Sequence, residues 1–134
     1  MKSKNRWTFN NKSVANVNYH LIWCPKYRRK VLTGSIEVRL KELLLEKSKE
    51  LGIEIKTMEV MPDHVHLFIN SNPTLSIHFI VQQLKGYTSR ILRKEFKELT
   101  SRLPSLWTRS YYVETVGSLS DDTIIRYIEN QKNV

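Results

Sequence analysis

Hydrophobic and polar positions change period several times along the chain, and each change marks an element. From Val14 to Cys24, Val17, Tyr19, Leu21 and Trp23 alternate with Asn16, Asn18 and His20, a period of two that predicts a β-strand. Pro25 ends it, and Lys26-Tyr27-Arg28-Arg29-Lys30 follows as a basic loop. The period then becomes helical. Ile36, Leu40, Leu43, Leu44 and Leu51 form one apolar stripe, with Ser35 as the predicted cap, Glu37 in the first turn and Gly52 beyond the end. Alternation returns over 52–60, where Ile53 and Ile55 alternate with Glu54 and Lys56. After Met61-Pro62-Asp63 comes the apolar, partly β-branched run Val65 to Ile69, so these two strands read as a hairpin.

A second helix is predicted from Asn72-Pro73-Thr74 to about Leu99, with Ile80, Leu84, Tyr87 and Ile91 on one side. Its other side carries Lys85, Arg90, Arg93, Lys94 and Lys97, with Gln82, Gln83, Thr88 and Ser89 among them; it reads equally as a solvated face or as a seat for phosphates. Leu103-Pro104-Ser105 breaks the chain, and Tyr111 to Val116 is the fourth strand. A last helix is predicted from Ser120, its cap, to about Gln131, with Asp121 and Asp122 in its first turn.

The order strand, helix, strand, strand, helix, strand, helix predicts an α+β, ferredoxin-like or RRM-like plan. In that plan an antiparallel sheet has helices packed on one face, followed by a C-terminal helix. No repeat, low-complexity stretch or linker divides the sequence, so residues 1–134 read as a single domain, with 1–13 as a flexible basic arm.

Charge narrows the partner. A formal net charge of +9 and a pI near 9.8, with the cations clustered, point to a polyanion. Nucleic acid comes first and an acidic membrane surface second; a merely soluble basic protein is the bland alternative. The single cysteine, Cys24, excludes an intrachain disulfide and a cysteine-rich zinc site, and its apolar neighbours make it a small core residue. The basic amino terminus is followed by no apolar signal region and no stretch approaches a membrane span, so a cytoplasmic protein, associated with the nucleoid through DNA, is expected.

The chemistry begins with His64-Val65-His66. On a strand these two imidazoles project from one face, side by side, as a divalent metal needs them. Most such pairs are surface or hydrogen-bonded histidines, so the pair alone decides nothing. On the last helix Ile124, Ile125 and Ile128 form the buried stripe, and Tyr127 and Gln131, four residues apart, share one flank of it. A Tyr at such an edge is ordinarily a boundary residue with its hydroxyl in water.

Four blocks together carry a resemblance. They are Met61-Pro62-Asp63-His64-Val65-His66-Leu67, the run His20-Leu21-Ile22-Trp23-Cys24-Pro25-Lys26-Tyr27-Arg28-Arg29-Lys30-Val31-Leu32, Leu84-Lys85-Gly86, and Leu106-Trp107 leading to Tyr127-Ile128-Glu129-Asn130-Gln131. In this order, from about Val14 to Gln131, the chain resembles the small HUH-type single-tyrosine transposases of the insertion sequence 200/605 group. The resemblance implies that His64, His66 and Gln131 are metal ligands and that Tyr127 is the nucleophile. It further implies cutting and rejoining of single-stranded DNA, without a nucleotide cofactor, at imperfect hairpins near element ends. A homodimer is implied too, in which one subunit's Tyr helix can complete the other's site.

Elementary chemistry agrees with those roles. An isolated Tyr, with a pKa of about 10, is a poor nucleophile at neutral pH, and a cation at the scissile phosphate would neutralise developing charge. Attack by Tyr127 would leave a 5′-phosphotyrosine and a 3′-OH, conserving the bond energy for rejoining. Mg²⁺ is expected from the resemblance, while two imidazoles favour tighter binding of Mn²⁺. Phosphate-positioning candidates are Lys26, Arg28, Arg29, Lys30, Lys85, Arg90, Arg93 and Lys94, and Tyr27, Trp7 and Trp107 are candidates for stacking on unpaired bases. Trp23 reads as core. Two alternatives remain: a non-catalytic binder of structured single strands, for which the sheet lacks a clear RNP-type aromatic motif, and a nuclease that cuts without rejoining.

Overall fold

A computed structural model describes residues 16–117. Within them the chain forms β1 (Val17–Trp23), a 3-10 turn at Lys26–Arg28, α1 (Gly34–Leu51), β2 (Glu54–Met61) and β3 (His64–Ser71). These are followed by α2 (Ile77–Glu95), the short α3 (Lys97–Arg102) and β4 (Tyr112–Val116). The four strands make one antiparallel sheet in the order β2-β3-β1-β4, the ferredoxin-like order expected. The last predicted helix, from Ser120, lies outside the described residues.

The odd-numbered positions of the central strands build the core. Leu21 and Trp23 of β1 and Val65, Leu67 and Ile69 of β3 are buried in one cluster with Ile36, Leu40, Leu43 and Leu44 of α1. Ile80, Val81, Leu84 and Leu92 of α2 close it. Both helices therefore cover the same face of the sheet, and burying each such aliphatic side chain contributes about 1.5–3 kcal/mol. Arg39 ties the helices together at the surface, donating to both carboxylate oxygens of Glu95 at 2.9 and 3.1 Å.

Several local expectations need correction. Ser35 does not cap α1: the helix begins at Gly34, Thr33 occupies the capping position, and no side chain caps the free N–H groups. Gly52 does end it, in the left-handed conformation (φ 76°) that glycine adopts without strain. Asn72 does not open α2. Its side chain accepts from the backbone N–H of Thr74 at 2.8 Å, holding a turn, and Ser76 is the cap, accepting from Phe79 N at 3.1 Å. The helix also ends earlier than predicted. Phe96 is extended (φ −123°, ψ 100°), and the chain restarts as α3.

The basic loop after β1 is pinned on both sides. Pro25 bridges to Trp107, Lys26 N donates to Leu106 O at 2.7 Å, and Thr108 N donates to Cys24 O at 3.0 Å. Between these anchors Tyr27 (φ 60°) and Arg28 (φ 49°) both adopt the left-handed region, where a side chain crowds its own backbone.

Candidate active site

Strand register assembles the site on the sheet face opposite the helices. His64 and His66 stand two residues apart on β3, with ring centroids 4.7 Å apart. Phe68 follows on the same face, and across the β1 pairing it faces His20, while His66 faces Ile22. On the other side of β1, His20 is opposite Glu114 and Ile22 opposite Tyr112 of β4. His66, Phe68 and His20 are buried (3%, 1% and 0% exposed), so this polar-looking face is dry at its centre.

Each imidazole of the pair is engaged through Nδ1. His64 Nδ1 lies 2.7 Å from Asp63 Oδ1, and Asp63 in turn accepts from Arg28 at 3.2 Å. Burial pushes the Asp63 carboxyl up, but the hydrogen bond with His64 and the charge of Arg28 outweigh it and hold the group below its ordinary range. Asp63 is thus a carboxylate, and His64 Nδ1–H donates to it. His66 Nδ1 lies 3.5 Å from Nε2 of His20. The His20 ring stacks on Phe68, centroids 4.6 Å apart and planes 10° from parallel, and its Nδ1 is 3.8 Å from Glu114 Oε1. Burial lowers the His20 pKa, partly offset by Glu114, so His20 is a neutral ring near pH 7. Glu114 also accepts from Tyr112 OH at 2.7 Å, which raises the Tyr112 pKa.

Two imidazoles on one face, both tied back through Nδ1, suit a transition-type divalent ion, which would be bound through Nε2 of each ring. No group of three His, Cys, Asp or Glu residues with metal-holding geometry occurs among the described residues, and His64 and His66 are the two side chains there that would hold such an ion. Gln131 and Tyr127, the third expected ligand and the expected nucleophile, lie outside the described residues, as does Trp7.

The cationic candidates divide into two kinds. Tyr27, Arg28, Arg29 and Lys30 form an exposed group on the pinned loop, with Lys26 partly covered at its base. Arg90 and Lys94 are exposed on α2, Arg90 lying 5.5 Å from the Tyr87 ring centroid. Lys85 and Arg93 are instead turned to the chain itself. Lys85 Nζ donates to Thr108 O (2.6 Å) and Ser110 O (3.1 Å), and half-burial lowers its pKa. Arg93 donates to the carbonyls of Leu99, Leu103 and Pro104. Trp107 does not stack on solvent-side ligands. It is 6% exposed, packs edge-on against Trp23 (centroids 5.8 Å, 87°) and donates its indole N–H to Thr88 Oγ1 at 3.0 Å. Trp23 is core, as expected.

Beside these residues an open groove of about 620 Å³ runs between α2 and the segment before β4, with Lys26, His78, Gln82, Arg109 and Tyr111 among its lining. Reasoning from sequence missed Asp63, His20 and Glu114 as partners of the histidine pair. For Asp63 the signal was its place directly before His64; for His20 it was the shared phase with the polar positions of β1.

Comparison with known proteins places this arrangement. The sequence profile of the family "Transposase IS200 like" matches residues 13–131. The ISDra2 transposase TnpA of Deinococcus radiodurans is 41% identical over 120 residues, covering 88% of this chain and 86% of its own. The transposase for insertion sequence element IS200 of Salmonella typhimurium is 30% identical over 118 residues, covering 87% and 77%. A crystal structure from Deinococcus radiodurans R1, of a protein described as a transposase, superposes with a TM-score of 0.75 at 36% identity, over 92% of this chain and 97% of that one. A REP-associated tyrosine transposase bound to a REP hairpin shares the fold, with a TM-score of 0.57 at 14% identity over 96% of this chain and 74% of its own. With its two imidazoles on one strand of a ferredoxin-like sheet, a profile match over most of its length and relatives of this kind, the chain belongs to the family of IS200-like transposases.

Proposed function

We propose that this transposase cuts and rejoins single-stranded DNA at element ends by transesterification through Tyr127, with His64, His66 and Gln131 holding a divalent ion. The observation that carries the reading is the His64–His66 pair, presented from one face of β3 and anchored through both Nδ1 atoms. When bound, the ion supplies positive charge at the scissile phosphate. Mg²⁺ is the physiological ion on this reading and Mn²⁺ the tighter binder, because imidazole nitrogen suits it better.

The step itself balances without a nucleotide cofactor. The Tyr127 oxygen attacks phosphorus in line, the Tyr O–P bond forms and the P–O3′ bond breaks. The phenolic proton is released and the departing 3′ oxygen takes one up as a hydroxyl. A 3′-OH from another strand then reverses the exchange at the 5′-phosphotyrosine and restores a phosphodiester. Within the described chain, Asp63 lies against His64 Nδ1 and His20 against His66 Nδ1.

DNA hairpins are the proposed substrate, and a structural neighbour of the same fold is one bound to a REP hairpin. The exposed loop group Lys26, Tyr27, Arg28, Arg29 and Lys30, with Arg90 and Lys94, would meet phosphates, and Tyr27, 66% exposed, an unpaired base. Lys85 and Arg93 would contribute charge from behind their carbonyl contacts. The protein would act as a single-domain homodimer, its sites completed within or between subunits, in the cytoplasm on nucleoid DNA. No helix among the described residues is long and apolar enough to cross a membrane.

The test is incubation with a labelled single-stranded hairpin and Mn²⁺ or Mg²⁺, read on a denaturing gel. A metal-dependent covalent protein–DNA band, absent in Tyr127→Phe and His64→Ala, is expected. Shifted mobility on a native gel with no covalent product on any hairpin from the neighbouring DNA would make the chain a binding module instead.

A further inference from the structure

One buried side chain on the site face has a role that ligand chemistry alone does not give it. We propose that His20 is a positioning residue, which fixes the tautomer and orientation of His66 so that Nε2 of His66 is presented to the ion. The proposal rests on the reading of His64 and His66 as metal ligands.

A neutral imidazole that ligates through Nε2 carries its proton on Nδ1. His66 Nδ1 faces Nε2 of His20 at 3.5 Å, so in the ligating tautomer His66 donates and His20 accepts. His20 then carries its own proton on Nδ1, the atom 3.8 Å from Glu114 Oε1. The opposite arrangement would put a proton on His66 Nε2, where the ion must bind. The negative charge of Glu114, 3.8 Å from His20 Nδ1, favours a proton on that atom and so favours the direction from His66 to His20.

Packing places His20 between the ligand strand and β4. It is fully buried, its ring lies flat against Phe68 at 4.6 Å, and its β1 position is opposite Phe68 on one side and Glu114 on the other. The stack fixes the plane of the ring, and the contact with His66 Nδ1 selects the orientation that presents Nε2 to it. The two ligands are thus held by different chemistry: His64 by the carboxylate of its sequence neighbour Asp63, His66 by a second imidazole from another strand.

The alternative is that His20 only fills space over Phe68, and three variants of the full-length protein separate the two. His20→Phe keeps a ring on Phe68 and removes the acceptor; His20→Gln restores an acceptor oxygen near the place of Nε2; His64→Ala removes a ligand outright. Mn²⁺ affinity is read by calorimetry on proteins whose fold is checked by circular dichroism. His20→Phe is expected to bind Mn²⁺ about 10–100-fold more weakly, and His20→Gln to recover part of the loss. A folded His20→Phe with wild-type affinity, or a folded His20→Gln no better than His20→Phe, overturns the positioning role and leaves the metal site standing. Wild-type protein that binds no Mn²⁺, like His64→Ala, overturns the metal reading and the proposal with it. Should His20→Phe fail to fold, nitrogen-15 NMR of wild-type His66 decides: Nδ1–H supports the proposal and Nε2–H overturns it.

Discussion

Trp107 Nε1 donates to Thr88 Oγ1 across 3.0 Å of buried interior, and the same hydroxyl donates back to Leu84 O at 2.8 Å. One side chain of α2 therefore satisfies the indole N–H of a residue that belongs to no helix or strand. Thr88→Val keeps the shape and removes the acceptor, stranding a buried donor. A loss of about 1–3 kcal/mol is expected in denaturant unfolding at unchanged m-value. Hairpin affinity of the folded variant should stay at the wild-type level, since Trp107 faces the core; a matching fall in affinity would contradict that placement.

Lys85 holds the segment before β4 by two carbonyl oxygens, Thr108 O and Ser110 O. Lys85→Met keeps most of the aliphatic stem and removes the donor. Because the site is only half covered, the cost is expected to be about 1 kcal/mol in thermal or urea unfolding. Faster hydrogen exchange confined to residues near 108–111 is the local signature to look for.

Arg28 is shared between the exposed loop and Asp63, at 3.2 Å. Replacing Arg28 and Arg29 together by Ala is expected to weaken hairpin binding and to flatten the slope of log K against log salt by about 1 for each phosphate that is no longer neutralised. A salt slope equal to wild type would move the DNA surface away from this loop. Asp63→Asn separates the second role of the pair: Mn²⁺ affinity should fall by about 10-fold or more, because His64 loses its carboxylate partner.

Cys24 gives a test by pH. Burial pushes its thiol above the ordinary value of 9.0, Asp63 pushes the same way, and Arg28 and Lys85 oppose them. Because the folded pKa is the raised one, the stabilising contribution is complete below 9.0 and is lost as pH climbs through the folded value. Cys24 is partly exposed rather than the core residue its apolar neighbours suggested. Iodoacetamide labelling of the native protein should rise only in that higher range, and a midpoint at or below 9.0 would count against the upward shift.

Within residues 16–117, the order of the four strands and the two long helices, the sheet faces and most of the core were legible because period two and period 3.6 report which side of an element is apolar. Leu21, Trp23, Leu40, Leu84 and the His64–His66 pair all fell where the pattern put them. What the pattern could not carry is contact between elements. It set Lys85 and Arg93 on the polar side of α2, but not that their long stems reach the carbonyls of the segment beyond it. Trp107 sits outside any periodic run, so its burial left no trace in the pattern. Around Ser71, Asn72 and Ser76 several residues had capping chemistry. Asn72 spent its side chain on a turn, which left the role to Ser76. Alternation gave His20 its face but not its depth within that face.

The left-handed pair Tyr27 and Arg28 bears on recognition in a further way. Each such residue costs about 1–2 kcal/mol relative to ordinary backbone, so the loop does not choose this shape for itself. It is imposed from outside, by Leu106, Trp107 and Asp63. A segment already confined in this way has little freedom left to surrender when a ligand arrives. The association of a nucleic acid with Tyr27 and its neighbours would thus be spared most of the entropy that ordering a slack basic loop demands.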